Sequence, residues 1–382
     1  MTDHFWSDEQ RALKETARAF VRAEVLPHLQ EWEDAGSVPR ELHAQAAKLG
    51  LLGLGVAEEL GGVGGTFLDA LAVIEAFCEA GASSGLLAAL FTSGIALPHI
   101  VASRSAELID RYVRPTLAGE TIGALAVTEP GGGSDVARLR TTAVREGDHY
   151  VVNGAKTFIT SGVRADFVTT AVRTGGAGHA GISLLVVDKG TSGFTVDRSL
   201  AKMGWHCSDT AELGFADARV PVANLVGAEN TGFAQIANAF VTERLALAGH
   251  GYGIAGRALE LTVAYARKRE TFGRPLTANQ VVRHRLVAMH RRVDVAREYT
   301  RAVAARYVAG DDVLVEALHA KALAADAASY VCDQAVQLHG GTGYLHGTEV
   351  ERHYRDARIL GIGGGATEVL DDLTAKLLGY DA

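Results

Sequence analysis

From position 232 to the C-terminus the chain runs in long stretches with few helix breakers, and this limits its possible folds more than any other feature. The spacing predicts helices over 232–268, 278–309 and 313–338, with shorter ones at 345–355 and 367–378. Apolar positions recur at three and four, as at Val281, Leu286, Met289 and Val293. Long helices that each carry an apolar stripe must bury those stripes together, which predicts a four-helix bundle. The stretch before it differs in kind. Between about 121 and 224, short runs rich in Val, Thr, Phe and Ile alternate with glycine turns, which predicts strands at 122–128, 139–146, 149–153, 167–173, 181–188 and 210–216. Glu146-Gly-Asp-His149 is a hairpin signal between two of them. Residues 1–120 read as helical again. Ser7 caps a first helix with Asp8 and Glu9 in its opening turn, Pro39 suits the start of a second that Gly50 ends, and helices follow at 67–80, 83–97 and 104–113. The expected fold class is α+β: an N-terminal helical domain (1–120), a middle antiparallel β-barrel or sandwich (121–230) and a C-terminal helical bundle (231–382).

Composition removes several function classes. A net charge of −8 argues against a nucleic-acid binder. The acidic N-terminus lacks the apolar core of a signal peptide. Residues 80–103 carry no Asp, Glu, Lys or Arg, but their serines, threonines and glycines, with Pro98 and His99, predict a buried helix pair and no membrane insertion. Cys78, Cys207 and Cys332 are scattered and read as reduced thiols of a cytoplasmic protein. His206 and Cys207 are adjacent, but no second pair at ligand spacing follows, so no metal is expected; His346 and His353 read as surface residues.

The stretch Ala126-Val-Thr-Glu-Pro-Gly-Gly-Gly-Ser-Asp135 reads as a strand ending in an open turn whose bare backbone can approach a flat or phosphorylated ligand. It is not a dinucleotide fingerprint, because Val136 stands where that pattern needs glycine. Three further motifs follow in order: Asn153-Gly-x-Lys156-x-x-Ile159-Thr160, then Arg269-x-Thr271-Phe272-Gly273 with Gln280, then Gln337-x-x-Gly340-Gly341-x-Gly343. Together they resemble the acyl-CoA dehydrogenase family of flavoproteins over nearly the whole chain.

That resemblance implies FAD as cofactor, an acyl-CoA substrate, an electron-transfer flavoprotein as electron acceptor, and a homo-oligomer, dimer or tetramer. The family's base is a carboxylate in one of two places. In the final loop its position falls on Gly364, so that base is missing; on the first bundle helix it precedes an Arg-Leu pair, here Glu243-Arg244-Leu245. The resemblance therefore points to the long-chain and isovaleryl branch, with a medium, long or branched acyl chain. Independently, Ile236, Phe240, Glu243 and Leu247 share one helical stripe, which raises the pKa of a carboxylate there; the alternative is a structural glutamate paired with Arg244 or Arg269. By resemblance, the Gly364 backbone N–H polarises the thioester carbonyl, and Gly363, Arg244 and Ser134 border the substrate. Val127, Thr128, Gly133, Ser134, Phe158 and Thr160 would meet the flavin ring and its surroundings. Arg269, Phe272, Gln280, Gln337, Gly340 and Gly341 would bind the adenosine and pyrophosphate half. Ala366 stands where the family offers a threonine to the flavin; Thr367 substitutes or that contact is lost, and a purely structural reading of the loop has Thr367 capping the last helix. The pocket floor is expected from 84–100, where Gly85, Ala88 and Gly94 leave room. Other readings are dehydrogenation of a carrier-protein-tethered thioester, a flavin oxygenase or oxidase, and a binding protein that has lost catalysis.

Overall fold

In the computed structural model, which describes residues 4–380, the first helix α1 (Asp8–Phe20) begins at a reciprocal cap. The Ser7 hydroxyl accepts from the Gln10 N–H while the Gln10 side chain accepts from the Ser7 N–H. Helices α2 (Leu29–Ala35), α3 (Glu41–Lys48), α4 (Phe67–Ala80), α5 (Ser84–Leu90), α6 (Ser93–Ala96), α7 (Pro98–Ser103), α8 (Ala106–Leu108) and α9 (Arg114–Leu117) follow. The uncharged stretch bends by 54° between α5 and the α6–α7 segment and is largely buried. Among the described residues no single helix is long and apolar enough to cross a membrane.

The middle region is a seven-stranded sheet of β1 (Gly123–Ala126), β2 (Thr142–Glu146), β3 (His149–Thr160), β4 (Phe167–Arg173), β5 (Ile182–Asp188), β6 (Phe194–Ser199) and β7 (Thr210–Pro221). Pairing is antiparallel for β2–β3, β3–β7, β6–β7 and β4–β5. β1 and the start of β2 instead run parallel to β4, along one edge of that strand. Ala126 pairs with Thr170 and Thr142 with Arg173, so the sheet edge opens between them and the chain from 127 to 141 is expelled as a loop. The glycine turn sits there. β6 was not expected: its outward residues Asp197 and Arg198 mask the alternation.

The chain then enters α10 (Gly232–Lys268). The small hairpin of β8 (Glu270–Thr271) and β9 (Arg274–Pro275) follows, and then α11 (Gln280–Val308), α12 (Leu314–His339), α13 (Glu349–Ala357) and α14 (Thr367–Leu377). α10, α11 and α12 pack on one another, α4 packs on α10 and α11, and α13 and α14 pack on α12. One buried ionic cluster ties the N-terminal helices to this bundle. Glu75 on α4 accepts from Lys14 Nζ (2.6 Å), Arg301 Nε (2.7 Å), the Tyr252 hydroxyl (2.8 Å) and Trp6 Nε1 (3.2 Å).

Cys78, Cys207 and Cys332 are free and buried, and burial pushes all three thiols up. His353, expected at the surface, is fully buried on α13 with Glu349 Oε1 at 3.4 Å; only His346 is exposed.

Candidate active site

Glu243 lies on α10 on the stripe formed by Ile236, Phe240 and Leu247. It makes no hydrogen bond or ion pair among the described residues, so neither Arg244 nor Arg269 neutralises it by contact. The residue as a whole is half-buried. Burial drives its pKa up to about 7, against the opposing pull of Arg244 and Lys321. A carboxyl poised there exchanges a proton near neutrality.

Facing it is the loop between α13 and α14. Gly364 and Gly365 adopt left-handed backbone, with φ +66° and +99°, where glycine is favoured. A β-carbon on Gly364 would lie 3.7 Å from Glu243 Oε1 and 2.4 Å from Leu247 Cδ1, so the residue at 364 must be small for the carboxylate and Leu247 to fit. The Gly364 N–H has no acceptor among the described residues, whereas the Gly363 N–H is engaged by the Ile359 carbonyl at 2.8 Å. Of the two glycines, only Gly364 keeps a free donor. Ala366, not Thr367, occupies the cap position of α14, and no side chain caps it.

Two further residues dominate this end of the bundle: Lys321, which sequence reasoning left without a role, and Arg244, expected to border the substrate. Lys321 on α12 is only 1% exposed and donates to the Gly365 carbonyl at 2.7 Å. Burial and Arg244 draw its ammonium down to about 8, while Glu243 and Glu368 pull it back up. Arg244 is buried with its Nε unpartnered and its guanidinium 5.4 Å from the Phe240 ring. Lys321 sits among alanines (317, 320, 324, 325) on its helix, the same signal that singled out Glu243.

The glycine turn is held by an ion pair between the first two motifs. Lys156 Nζ lies 2.9 Å from Glu129 Oε1 and 3.1 Å from the Val127 carbonyl, and Lys156 is fully buried. The Glu129 carboxylate also accepts from the Arg140 and Thr141 N–H groups at 2.7 and 2.8 Å, fixing both ends of the loop. Burial alone would raise the Glu129 pKa, but Lys156 and Thr141 bring it below the ordinary carboxylate value; burial takes Lys156 down to about 8. The Thr157 N–H bonds the Thr128 carbonyl at 3.0 Å and aligns the two motifs. Val127 packs in one cluster with Ile236 and Phe240, which brings the strand end to the Glu243 stripe.

At the turn itself Gly133 closes on Thr128; a β-carbon there would meet Thr128 Cγ2 at 3.1 Å. The Gly133 and Ser134 N–H groups are exposed and have no acceptor among the described residues, so this cradle is open to an external acceptor. A register shift between Lys156 and Ile159 forms a bulge in β3. Phe158 occupies it at φ +59° and projects outward, 68% exposed, with Thr160 half-buried at the strand's end. Phe272 shows the same combination at the tip of the β8–β9 hairpin: φ +52° and complete exposure. A bulky side chain in left-handed backbone costs about 1–3 kcal/mol. Arg269 lines a depression of about 440 Å³ with Tyr265, Lys268, His339 and Thr342, beside exposed Gln337, Gly340 and Gly341. Gln280, exposed, opens α11 next to it.

The expected pocket floor needs one correction. Gly85 leaves no room: a β-carbon there would stand 2.6 Å from the Trp205 backbone, so this glycine admits the 203–208 loop against α5. Gly94 has nothing within 4 Å and Ala88 is half-buried. Two turns along α10 from Glu243, buried His250 meets the Ser84 hydroxyl at 3.1 Å. Among the described residues no cluster of His, Cys, Asp and Glu is arranged to hold a metal ion.

Family models for the acyl-CoA dehydrogenase N-terminal, middle and C-terminal domains match residues 7–120, 124–218 and 230–379. The long-chain specific acyl-CoA dehydrogenase of Rattus norvegicus is 36% identical over 382 residues, 99% of this chain and 88% of its own. A Mycobacterium smegmatis structure assigned to acyl-CoA dehydrogenases superposes with TM-score 0.98 at 60% identity, covering 99% of this chain and 100% of that one. A glutaryl-CoA dehydrogenase from Mycobacterium smegmatis in complex with FADH2 superposes with TM-score 0.93 at 25% identity, covering 100% of this chain and 97% of that one. With these matches spanning the helical ends, the curled middle sheet and the site between them, the chain belongs to the acyl-CoA dehydrogenase family of oxidoreductases.

Proposed function

We propose that this oxidoreductase is FAD-dependent and desaturates a medium, long or branched acyl-CoA thioester between Cα and Cβ, with Glu243 taking the α-proton. The observation that carries the reading is the pairing of an uncompensated carboxylate, at a pKa of about 7, with a glycine opposite it whose N–H is free. Glu243, about half ionised near pH 7 and more so above it, accepts the α-proton at its carboxylate. The Gly364 N–H donates to the thioester carbonyl and offsets the charge that develops there as the proton leaves. Gly363, Arg244 and Ser134 border the thioester, and the apolar stripe excludes water from it.

FAD fits the remaining features and, when bound, supplies the acceptor for the β-hydride. The unpaired Gly133 and Ser134 N–H groups suit an anionic or polar cofactor edge. Val127, Thr128, Phe158 and Thr160 would flank its ring, and Arg269, Phe272, Gln280, Gln337, Gly340 and Gly341 its adenosine and pyrophosphate half. The strained, exposed Phe158 and Phe272 support this, since strain at exposed aromatics marks ligand contacts. Full exposure of Phe272, with Tyr344 at 84%, supports a homo-oligomer in which a partner covers this end. An electron-transfer flavoprotein is the proposed acceptor of the electrons.

The test is an anaerobic titration of the purified protein with thioesters of graded length and branching, followed by visible absorbance. The reading predicts that an acyl-CoA bleaches the flavin, and that Glu243→Gln binds the same ester without bleaching. A yellow protein that no CoA ester bleaches would shift the substrate to a carrier-tethered thioester; a colourless one would remove the cofactor.

A further inference from the structure

The buried ammonium of Lys321 has no place in the mechanism above, yet it is bonded to the loop that faces the base. Among the described residues its one hydrogen bond goes to the Gly365 carbonyl, at 2.7 Å. That carbonyl belongs to the residue directly after Gly364, the position whose β-carbon would lie 3.7 Å from Glu243 Oε1. Both glycines are left-handed and neither has a side chain to lock it, so the loop depends on an external anchor for its shape. Gly363 is fixed from one side by the Ile359 carbonyl, and Ala366 from the other by the first turn of α14. Between them the Lys321 bond is the one side-chain hold among the described residues. A lysine that is 1% exposed is costly to bury unless its ammonium is hydrogen-bonded, and the Gly365 carbonyl supplies that bond.

We propose that Lys321 is a positioning residue for the reaction: it pins the Gly365 carbonyl, and through it the Gly364 N–H, opposite Glu243, and sets the charge felt by that carboxylate. The charged groups around the pair are Glu243 and Arg244 from α10, Lys321 itself from α12 and Glu368 from α14. Lys321 and Arg244 both favour the ionised form of Glu243, against burial. Removing the ammonium leaves Arg244 alone in that role, and the proton on Glu243 is then held more tightly. The catalytic half of this proposal rests on Glu243 being the base; the electrostatic half does not.

The experiment compares wild type, Lys321→Met, Lys321→Gln and Lys321→Arg in the cofactor-loaded enzyme. The protonation of Glu243 is titrated by infrared difference spectroscopy of the protonated carboxyl stretch, assigned by its loss in Glu243→Gln. Lys321→Met and Lys321→Gln are expected to move the midpoint upward by about one pH unit, and Lys321→Arg to restore it. The pH profile of thioester-driven bleaching should move with it. Lys321→Gln, which keeps a donor for the Gly365 carbonyl, should hold thioester affinity better than Lys321→Met. An unmoved midpoint in a folded Lys321→Gln enzyme overturns the charge role. Equal thioester affinity in Lys321→Met and Lys321→Gln overturns the anchoring role. If no thioester bleaches wild type, the assigned reaction falls, and the infrared midpoint still decides whether Lys321 acts on Glu243. Melting temperature and flavin content, measured alongside, separate both effects from a general loss of folding.

Discussion

Glu243 and Gly364 are complementary: the carboxylate from α10 occupies the side on which a residue at 364 would place its β-carbon, 3.7 Å from Oε1. The same β-carbon would stand 2.4 Å from Leu247 Cδ1 at φ +66°. Gly364→Ala is therefore expected to lower stability by about 1–2 kcal/mol, from the left-handed backbone and the displacement of Leu247 together. It should also weaken thioester binding, because the N–H that meets the carbonyl moves. Thermal unfolding and a binding titration check the two effects separately.

Burial gives Glu243 a pKa of about 7, and the consequences for rate and for stability run in opposite directions. As a base it must be ionised, so kcat/KM is expected to rise with pH, reach half its maximum near 7 and level off above. The folded carboxyl binds its proton more tightly than the unfolded one, whose ordinary value is 4.5. Stability is thus fully present below about 4.5 and declines as pH rises through 7. Glu243→Gln should melt higher than wild type at about pH 8, with the gap closing toward about pH 5. A wild-type enzyme that melts higher at both pH values would contradict the burial of an uncompensated charge.

The helical ends and the run of strands were legible because periodicity is local. Positions 232–268 and 67–80 carry their boundaries in glycine, threonine and apolar spacing, and both helices formed there. Strand partners are not local. Nothing within Gly123–Ala126 says that its neighbour is β4 in parallel, since the β2–β3 hairpin lies between the two in the chain but not between them in the sheet. Glu243 stood out as a charge on an apolar stripe. Lys321 stood on a similar stripe, but its meaning depends on Gly365, a contact across 44 positions. Glu129 and Lys156 were both visible as motif letters, and only their 2.9 Å approach reveals that each motif keeps the other in place. Gly85 is a similar case: absence of a side chain signals close approach as readily as empty space, and here Trp205 fills it.

The Glu129–Lys156 pair should control cofactor retention more than chemistry. Lys156→Met leaves the Glu129 carboxylate with two backbone donors but no counter-charge, and loosens the 127–141 loop at its root. Breaking a buried pair from one side costs about 3–5 kcal/mol. The expected outcome is a protein that purifies with reduced flavin content and regains it only in excess FAD, with the melting temperature rising as FAD is added. Visible absorbance per mole of protein measures the first effect, and a thermal shift series measures the second.

Away from Glu243, Glu75 contributes to the acid sensitivity of the fold. Burial pushes its pKa up, but the Arg301 hydrogen bonds and the Lys14 charge outweigh that, and the net displacement is below 4.5. A carboxylate depressed in the folded state contributes stability that is present above 4.5 and is lost as pH falls through its folded value. Glu75→Gln keeps the shape and some acceptors for Tyr252 and Trp6, but leaves Lys14 and Arg301 facing one another across a neutral group. It is expected to cost about 3–5 kcal/mol at neutral pH. It should also flatten the acid dependence, because the wild type loses the same interaction on protonation. Melting curves of the two proteins from about pH 3 to pH 7 should therefore converge at the acid end. Parallel curves with a constant offset would show that the cost of the substitution lies in packing and not in the charge of Glu75.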